Sequence, residues 1–463
     1  MGSPFKDHQS HSPSYTHSFV KKILPYFIYV ILPIAVIRLY LYSPSLPQSS
    51  TVHHHLSQPS TVHHLPHSTT PISITTSPPP PPSSSSSSKN DQEHKKPEAE
   101  QELKKPEAKE TQCDYTDGDW VPDQMGPLYN GTTCGTIKKG QNCIIHGRPD
   151  LGFLYWKWKP KQCSLPRFEP NTFLELLRNK HIAFVGDSMA RNQLESLLCM
   201  LATASRPKLV YSNGEDNKFR RWNFASHNVN VSVFWSPFLV KGVEKSKSGP
   251  DHNQLFLDQV DERWAADMGK MDMVVLSVGH WFLHPAVYFE GGSALGCHFC
   301  PGLNHTEIGF YDVLRKAIKT TLKTITERRG TSENGINVIV TTFSPAHFEG
   351  EWDKAGACPK TKPHNKGDKN LEGMDADMRQ VEVEEVEAAK VNANGVSGLK
   401  VEELDVTYLS LMRPDGHPGP YMNPFPFADG MKERVQNDCV HWCLPGAIDT
   451  WNEIMLEIMK KWK

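Results

Sequence analysis

The sequence has no cysteine in its first 112 residues, although it contains ten cysteines in all. It also lacks an excess of either charge, because 50 lysines and arginines face 52 aspartates and glutamates and the formal net charge is −2. A protein that binds nucleic acid through its phosphates needs a strong positive excess, so the composition predicts no nucleic-acid partner. No glycine-rich phosphate loop and no evident coenzyme A site occur, so the sequence predicts no bound cofactor.

The apolar segment near the N-terminus is short. Residues 23–37 carry no charge, whereas a membrane span needs about 20 apolar residues. Lys22 and Arg38 flank this run, and their long side chains can extend it to the membrane surface. No clear small-residue cleavage site follows, which favours a signal anchor over the alternative of a cleaved signal peptide. We therefore predict a cytosolic tail at 1–22 and a single-pass, type II transmembrane anchor at 23–42.

Residues 43–112 have the composition of a disordered segment. A run of prolines at 78–82 and a run of serines at 83–88 lie near scattered histidines. Such a segment cannot bury a hydrophobic core, so we expect an extended chain. We predict a luminal stalk that holds a catalytic domain away from the membrane, and assign no metal site to its histidines.

All ten cysteines lie between residues 113 and 443, and an even number beyond a signal-like segment predicts disulfides in an oxidising compartment. Cys297 and Cys300 form a single Cys-x-x-Cys motif without a second one at zinc spacing, so a local disulfide is favoured and no metal site is predicted. Asn130, Asn230 and Asn304 each begin an Asn-x-Ser/Thr sequon. They predict N-glycosylation and therefore a secretory route.

Four apolar residues at 182–185 run directly into a Gly-Asp-Ser sequence at 186–188, and apolar residues at helical spacing follow at 189–198. This pattern predicts a buried strand, a tight turn and a helix. Ser188 then lies at the helix N-terminus, where unpaired N–H groups and the helix dipole favour negative charge. The serine either caps the helix or acts as a nucleophile whose oxyanion these N–H groups stabilise.

A second motif lies near the C-terminus, where Asp438 precedes His441 by three residues. A carboxylate at this spacing can orient an imidazole and stabilise its charged form, as in a Ser-His-Asp triad. The spacing alone is common in surface loops, but together with Ser188 it predicts a triad of Ser188, His441 and Asp438. Asp415 and His417 form a rival carboxylate–imidazole pair, which otherwise shapes the acceptor site or its turn.

From residue 180 onward, apolar strand-like runs alternate with longer helical patterns. The predicted strands are residues 182–185, 229–235, 273–278, 336–343 and 404–409, and the further predicted helices are residues 310–327, 373–391 and 447–461. Such alternation predicts a mainly parallel sheet with helices on both faces and a site at the carboxyl ends of the strands. The acidic residues at 381–387 are interpreted as a solvated helix face.

Several motifs together resemble the plant trichome-birefringence-like family of polysaccharide O-acetyltransferases. They are Gly186-Asp187-Ser188 with Arg191-Asn192-Gln193, Cys113-Asp114 with Gly118-Asp119-Trp120-Val121, Asp150-Leu151-Gly152-Phe153, Arg413-Pro414-Asp415-Gly416-His417-Pro418, and Asp438-Cys439-Val440-His441. The resemblance covers about residues 113–463 and, around Gly279-His280-Trp281-Phe282, is greatest for the xyloglucan O-acetyltransferase branch. It implies an SGNH/GDSL-hydrolase-like three-layer α/β/α catalytic domain at 181–463, preceded by a disulfide-tied subdomain rich in cysteine and tryptophan at 113–180.

The resemblance also implies a function. Ser188 would accept an acetyl group, His441 would act as the base, and Asp438 would orient it. The acetyl-serine would then acetylate the galactosyl side chains of xyloglucan in the Golgi lumen. The required acetyl donor is left open between acetyl-CoA and a group supplied by a membrane partner. The alternatives are a carbohydrate acetyl-esterase with the same triad, an O-acetyltransferase for another hemicellulose or pectin, and a non-catalytic polysaccharide-binding protein.

Two further features of the site depend on the resemblance. It implies the disulfides Cys113–Cys163, Cys134–Cys199, Cys143–Cys443 and Cys358–Cys439. Hydrolases of this fold usually place an asparagine after the middle strand as an oxyanion donor, but this sequence has Gly279 and His280 there. The candidate donors are therefore the Ser188 N–H, the Gly279 N–H, and the side chain of His280 or of Arg191, which shares a helix face with Ser188. The alternative for Arg191 is an ion pair on the helix surface.

Overall fold

The computed structural model describes residues 113–213, 218–330, 335–393, 398–430 and 433–462. The predicted tail at 1–22, the anchor at 23–42 and the stalk at 43–112 lie outside these residues. No helix among the described residues combines the length and the apolar character that crossing a membrane requires.

The described residues form strands and helices that we number in chain order. The strands are β1 (Gly118–Pro122), β2 (Trp156–Pro160), β3 (His181–Gly186), β4 (Lys208–Asn213), β5 (Phe219–Phe224), β6 (Val229–Trp235), β7 (Val240–Val243), β8 (Asn253–Val260), β9 (Met273–Ser277), β10 (Ala286–Glu290), β11 (Ser293–His298), β12 (Ile336–Thr341) and β13 (Leu399–Leu404). The α-helices are α1 (Pro170–Leu176), α2 (Ser188–Ala202), α3 (Glu262–Ala265), α4 (Tyr311–Arg329), α5 (Gly373–Ala393), α6 (Thr407–Leu411) and α7 (Asp449–Lys460).

A seven-stranded sheet forms the centre of the fold, in the order β13-β12-β9-β3-β6-β5-β4. The first five of these strands are parallel, whereas β5 and β4 continue the sheet antiparallel. Side chains alternate between the two faces of β3, as they must in a strand. Ile182 and Phe184 belong to an apolar cluster with α1, α2 and α7, while Ala183 and Val185 belong to another with α4 and α5. The predicted three-layer α/β/α architecture is therefore confirmed.

Two smaller sheets accompany the central one. One has four strands in the order β11-β10-β8-β7, and the other pairs β1 with β2 antiparallel. The predicted strands do not include these, and β1, β7 and β11 in particular are short and partly exposed and so lack a continuous apolar run.

The predicted strand at 404–409 is wrong. Strand β13 ends at Leu404, and the helix α6 follows it. The hydroxyl oxygen of Thr342 accepts the N–H of Val406 at 2.9 Å, while its own O–H donates to the Asp405 carboxylate at 3.1 Å. The Thr342 side chain thus binds the Val406 N–H, which in a longer strand would bond to a neighbouring strand. The apolar run therefore continues as a helix.

Five disulfides take up all ten cysteines. They are Cys113–Cys163, Cys134–Cys199, Cys143–Cys443, Cys297–Cys300 and Cys358–Cys439. Four of these are the pairs that the resemblance implies, and the fifth is the local bridge of the Cys-x-x-Cys motif. The N-terminal segment at 113–180 is packed into the main core, since Trp158 is buried there and the indole N–H of Trp120 donates to the carbonyl of Leu409 at 2.8 Å.

The three sequons differ in their accessibility. Asn130 and Asn304 are exposed. Asn230 lies within β6 and is only partly exposed, and its side-chain oxygen accepts a hydrogen bond from Asn223 at 3.2 Å. Glycosylation stays a prediction at all three positions, and the first two offer a transferase the easier access.

Candidate active site

A tight turn carries Ser188 to the edge of the central sheet. Strand β3 ends at Gly186, where a Cβ atom would lie 1.8 Å from the carbonyl oxygen of Ser277 on β9. Only glycine permits this approach. The Asp187 N–H then donates to the Ser277 carbonyl at 3.1 Å, and the Ser236 N–H donates to the Gly186 carbonyl at 2.9 Å. These bonds hold the turn at the carboxyl ends of parallel strands, where α/β proteins place their sites.

Asp187, and not Ser188, caps α2. Its carboxylate accepts the N–H of Met189 at 2.8 Å, so the interpretation of Ser188 as the cap is wrong. Ser188 is the first helical residue and is partly exposed, while its neighbours along the chain are buried. Burial raises the pKa of Asp187 to about 6, although the Met189 N–H and the nearby His441 and Arg191 oppose the rise. The serine is therefore available to a reactant, and the aspartate shapes the turn.

Asp438 and His441 form the predicted pair. One carboxylate oxygen of Asp438 accepts the Nδ1–H of His441 at 2.8 Å, and the other accepts the backbone N–H groups of His441 and Val440 at 2.9 and 3.1 Å. Burial alone would raise the pKa of Asp438, but the charge of His441 and these donors outweigh it and hold that pKa below its usual range. Asp438 is thus ionised and sets the imidazole so that Nε2 keeps its lone pair.

His441 Nε2 is buried and has no hydrogen-bond partner among the described residues, so the structure shows no direct bond from Ser188 to it. Such a bond between nucleophile and base often tightens only when substrate is bound. His441 lies close enough to Asp187, the residue before Ser188, for its charge to oppose the rise in the pKa of that carboxyl. The geometry therefore suits a base that acts on Ser188 once a reactant fills the site.

Asn192 joins the two halves of the site. It lies one turn after Ser188 on α2 and is fully buried. Its side-chain oxygen accepts the N–H of Trp442 at 2.7 Å, and its amide group donates to the Trp442 carbonyl at 3.3 Å. The residue after His441 is therefore held at both polar backbone groups by the helix of the nucleophile. The residue pattern around Asn192 does not show this role, although a polar residue among apolar ones on a buried helix is a signal.

Replacing Asn192 by leucine keeps the side-chain size but leaves the buried N–H and C=O of Trp442 without partners. We expect the free energy of unfolding to fall by about 2 to 4 kcal/mol, as is typical for orphaned buried polar groups. Denaturant unfolding measures this difference. The same substitution at the exposed Asn370 is the control and should change stability by less than about 0.5 kcal/mol. An equally stable Asn192→Leu protein would contradict the described role of the amide.

The candidate oxyanion donors differ in their packing and in the hydrogen bonds that they already make. A Cβ at Gly279 would lie 2.5 Å from the Phe343 ring, so this loop packs tightly below the site. The Nε2–H of His280 donates to the Ser344 carbonyl at 2.9 Å. Burial, together with the charge of His441, lowers the pKa of His280 to about 4. His280 is therefore neutral with its single N–H already used, which argues against its side chain as an oxyanion donor.

His417 is not a rival base. Its ring is buried, its Nδ1–H donates to the His441 carbonyl at 2.8 Å, and its Nε2 faces His347 at 2.7 Å. Asp415, its proposed carboxylate partner, is instead bound to the buried guanidinium of Arg413 at 2.7 Å. His417 therefore supports the loop of His441 through its hydrogen bond to the His441 carbonyl.

A cavity of about 930 Å³ opens beside the serine helix. Its wall includes the indole rings of Trp222, Trp235 and Trp281, and it includes the cations Lys138, Lys139, Arg191, Lys218 and Arg220. The guanidinium carbon of Arg191 lies 5.5 Å from the centre of the Trp235 ring, and the Lys218 Nζ lies 5.2 Å from it. Of the acids on this wall, Glu195 is buried, which raises its pKa to about 7 and weakens its negative charge. The other acid, Glu244, forms an ion pair with Lys218 at 3.0 Å. Arg191 therefore lies on an aromatic cavity wall on which cations outnumber acids.

Comparisons with known proteins identify the family of this chain. The GDSL/SGNH-like Acyl-Esterase family found in Pmr5 and Cas1p matches residues 165–458, and the PMR5 N terminal Domain matches residues 111–164. Xyloglucan O-acetyltransferase 1 of Populus trichocarpa is 66% identical over 462 residues, which are 100% of this chain and 98% of that protein. Xyloglucan O-acetyltransferase 1 of Arabidopsis thaliana is 63% identical over 352 residues, 76% of this chain and 81% of that protein. Protein trichome birefringence-like 26 of the same plant is 45% identical over 351 residues, 74% of this chain and 76% of that protein. The chain therefore belongs to the GDSL/SGNH-like acyl-esterase family found in Pmr5 and Cas1p, and within it to the trichome-birefringence-like proteins.

Proposed function

We propose that this protein transfers acetyl groups to xyloglucan through an acetyl-serine at Ser188. One observation carries the mechanism: a partly exposed serine begins a helix, and an Asp438–His441 pair is held to that helix through Asn192. The acceptor rests on the relatives, because two that are at least 63% identical are named xyloglucan O-acetyltransferases. Within xyloglucan, we propose the galactosyl side chains as the units that are acetylated.

The first half of the reaction loads the enzyme. Ser188 Oγ attacks the carbonyl carbon of the donor's acetyl group while His441 Nε2 takes the hydroxyl proton. Asp438 stabilises the imidazolium that forms. The negative charge on the carbonyl oxygen develops at the N-terminus of α2, where the Ser188 N–H can donate to it. The carbonyl then re-forms, and the donor's leaving group departs with the proton from His441.

The second half of the reaction unloads the enzyme onto the sugar. A hydroxyl group of the polysaccharide attacks the acetyl-serine carbonyl, and His441 Nε2 takes its proton. Collapse of the second oxyanion breaks the bond to Ser188 Oγ, which regains a proton from His441. Transfer in place of hydrolysis requires that the acceptor exclude water from the acetyl-serine.

The acetyl donor must bind next to Ser188. The cationic cavity beside Arg191 has the charge to hold a phosphate-bearing thioester, so we propose acetyl-CoA as the donor. Trp281, which is partly exposed on the same wall, can contact its planar base. The alternative is an acetyl group supplied by a membrane partner, which would not depend on the phosphates.

Hydrolysis is the second candidate activity, because the matching family is described as acyl-esterases. The same acetyl-serine would then react with water. The arrangement of Ser188, His441 and Asp438 suits both reactions, and only the acceptor that reaches the acetyl-serine distinguishes them.

We further propose that residues 23–42 anchor the protein in the Golgi membrane as a single-pass, type II protein. The catalytic part would then lie in the lumen. Five disulfides and two exposed sequons support an oxidising, secretory compartment for residues 113–463. A fluorescent fusion viewed together with a Golgi marker tests the location.

Acetyl transfer is tested with the full chain, made in a plant secretory host and mixed with a galactosylated xyloglucan oligosaccharide. With acetyl-CoA we expect the mass spectrum to show one added acetyl group on the galactose. Acetyl-pantetheine, which has the same thioester without the nucleotide, should have a KM at least about tenfold higher. An equal KM for the two donors would contradict phosphate recognition and leave the transferase assignment intact.

The remaining arms of this experiment distinguish the alternatives. Xylan and pectin oligosaccharides replace xyloglucan in parallel reactions, and preferred acetylation of either would overturn the proposed acceptor. A pre-acetylated xyloglucan oligosaccharide tests the esterase activity. Loss of its acetyl group without any transfer would replace the transferase by an esterase.

A further inference from the structure

Two aromatic side chains are exposed on the loop that follows β12. This aromatic loop comprises residues 347–358, and its Phe348 and Trp352 are 44% and 54% exposed. All eleven tryptophans lie in the described part of the chain, and Trp352 is the only one with more than half of its surface exposed. Large apolar surface left in water costs free energy, so such an aromatic pair indicates a place where a ligand binds.

The aromatic loop is bound to the segment that carries the catalytic base and its aspartate. The backbone N–H of His347 donates to the carbonyl of Cys439 at 3.0 Å. The backbone N–H of Asn437 donates to the carbonyl of Trp352 at 2.8 Å. At the end of the loop, Cys358 forms a disulfide with Cys439. Three links thus hold the exposed aromatic residues next to the segment of the Asp–His pair.

In the strand order of the central sheet, the aromatic loop and the cationic cavity lie on opposite sides of Ser188. Strands β9 and β12 lie on one side of β3, and strands β6, β5 and β4 lie on the other. The cavity wall includes Trp235 at the end of β6 and Trp222 of β5. The aromatic loop follows β12, which is parallel to β9 and β3 and so ends at the same edge of the sheet as the serine turn. A donor in the cavity would therefore leave the β12 side of Ser188 to the acceptor.

The charges around the aromatic pair balance one another. Each acid of the aromatic loop lies close to a cation, in the pairs Glu349–Lys360 at 3.3 Å, Glu351–Lys354 at 3.9 Å and Asp353–Arg434 at 2.9 Å. Such a surface has no excess of positive charge to attract a polyanion such as pectin. Aromatic rings bury the apolar C–H faces of sugar rings by stacking on them, which needs no charge. The loop therefore suits an uncharged polysaccharide.

We propose that Phe348 and Trp352 form an acceptor subsite, on which backbone sugar rings of xyloglucan stack while a galactosyl side chain reaches Ser188. The identity of the acceptor rests on the proposed function. The stacking itself depends only on the exposed rings and on their attachment to the segment of the base. Neither ring takes part in the chemistry, so the subsite sets the affinity and the position of the acceptor.

Binding of a galactosylated xyloglucan oligosaccharide to the full-length protein tests the subsite, by isothermal titration calorimetry without an acetyl donor. We expect Trp352→Ala to raise the Kd about tenfold and Phe348→Ala about threefold, because each removes a stacking ring. Trp352→Phe keeps a ring and should raise the Kd by less than about threefold. The bond at residue 352 uses its backbone carbonyl, so the midpoint of denaturant unfolding should not change in these variants.

The control is Tyr211→Ala on β4, which is the strand at the other end of the central sheet from β12 and β13. Tyr211 is 49% exposed, and its loss should leave the Kd as in the wild type. An oligogalacturonide of equal length should bind the wild type at least about tenfold more weakly. An unchanged Kd in Trp352→Ala, an equal loss in Tyr211→Ala, or equal affinity for the oligogalacturonide would overturn the subsite. No donor is present, so a failure of acetyl transfer would leave this result as it stands.

Discussion

Replacing Ser188 by alanine is expected to lower the rate of acetyl transfer to xyloglucan oligosaccharide by at least about 10⁴-fold, the scale on which serine triads lose activity without their nucleophile. The helix should be unaffected, because Asp187 provides its cap. We therefore expect a change in the free energy of unfolding of less than about 0.5 kcal/mol. With donor alone, the wild type should gain an acetyl group on the peptide that contains Ser188, and the variant should not.

Ser196 provides a matched control on the same helix. Its hydroxyl is buried and donates to the Asp449 carboxylate at 2.6 Å. Ser196→Ala should therefore lower the free energy of unfolding by about 1 to 3 kcal/mol and still form the acetyl-serine. The Ser188 variant should thus lose acetyl transfer and keep its stability, whereas the Ser196 variant should lose stability and keep acetyl transfer. Undiminished acetylation in Ser188→Ala would place the nucleophile elsewhere or show direct transfer from donor to sugar.

The central layers of the fold could be predicted because both faces of the inner strands are buried. A strand such as β3 must then be a continuous apolar run, and helices at 3.6-residue spacing must lie between such runs. The four-stranded sheet of β7, β8, β10 and β11 cannot be predicted in this way. Its strands have four to eight residues and differ in how buried and exposed residues follow one another, and their pairing depends on contacts with the rest of the fold.

Some residues of the candidate site can be predicted from the sequence and others cannot. Ser188 and the Asp438–His441 pair stand in local motifs whose chemistry is visible in the residue types. Asn192 acts across 250 residues of chain to hold Trp442, and no local pattern shows that contact. The partner of each long-range polar residue becomes known only once the fold brings the segments together.

The acidic helix α5 shows how an average tendency misleads at one position. Glu382 lies in the acidic stretch at 381–387, for which the composition predicts a solvated helix face, yet it is buried and accepts the Phe343 N–H at 2.6 Å. Burial raises its pKa well above the ordinary value, although the Phe343 N–H opposes the rise, so burial disfavours the charged form of this side chain. Most acids on such helices are solvated, and the sequence carries no mark that separates Glu382 from its exposed neighbours.

Asp438→Asn should be nearly as damaging as the loss of the nucleophile, with a fall in kcat of about 10³- to 10⁴-fold. The asparagine oxygen can still accept the backbone N–H groups of His441 and Val440, so the loop keeps its shape. Its NH₂ group, however, faces His441 Nδ1 and forces the imidazole proton onto Nε2. The base then has no lone pair for Ser188. Steady-state kinetics with saturating acceptor measures the loss.

The control is Asp312→Asn, which makes the same chemical change at an exposed position in the first turn of α4 and should leave kcat within about twofold.

The free energy of unfolding should also depend on pH through Asp438. The pKa of Asp438 is held below its usual value, so its ionisation stabilises the fold above the unfolded pKa of about 3.9. The stability difference between wild type and Asp438→Asn should therefore be constant at neutral pH and shrink as the pH falls below about 4. A variant with near-normal kcat would mean that His441 is oriented by another group, and the carboxylate at 2.8 Å would then serve the loop alone.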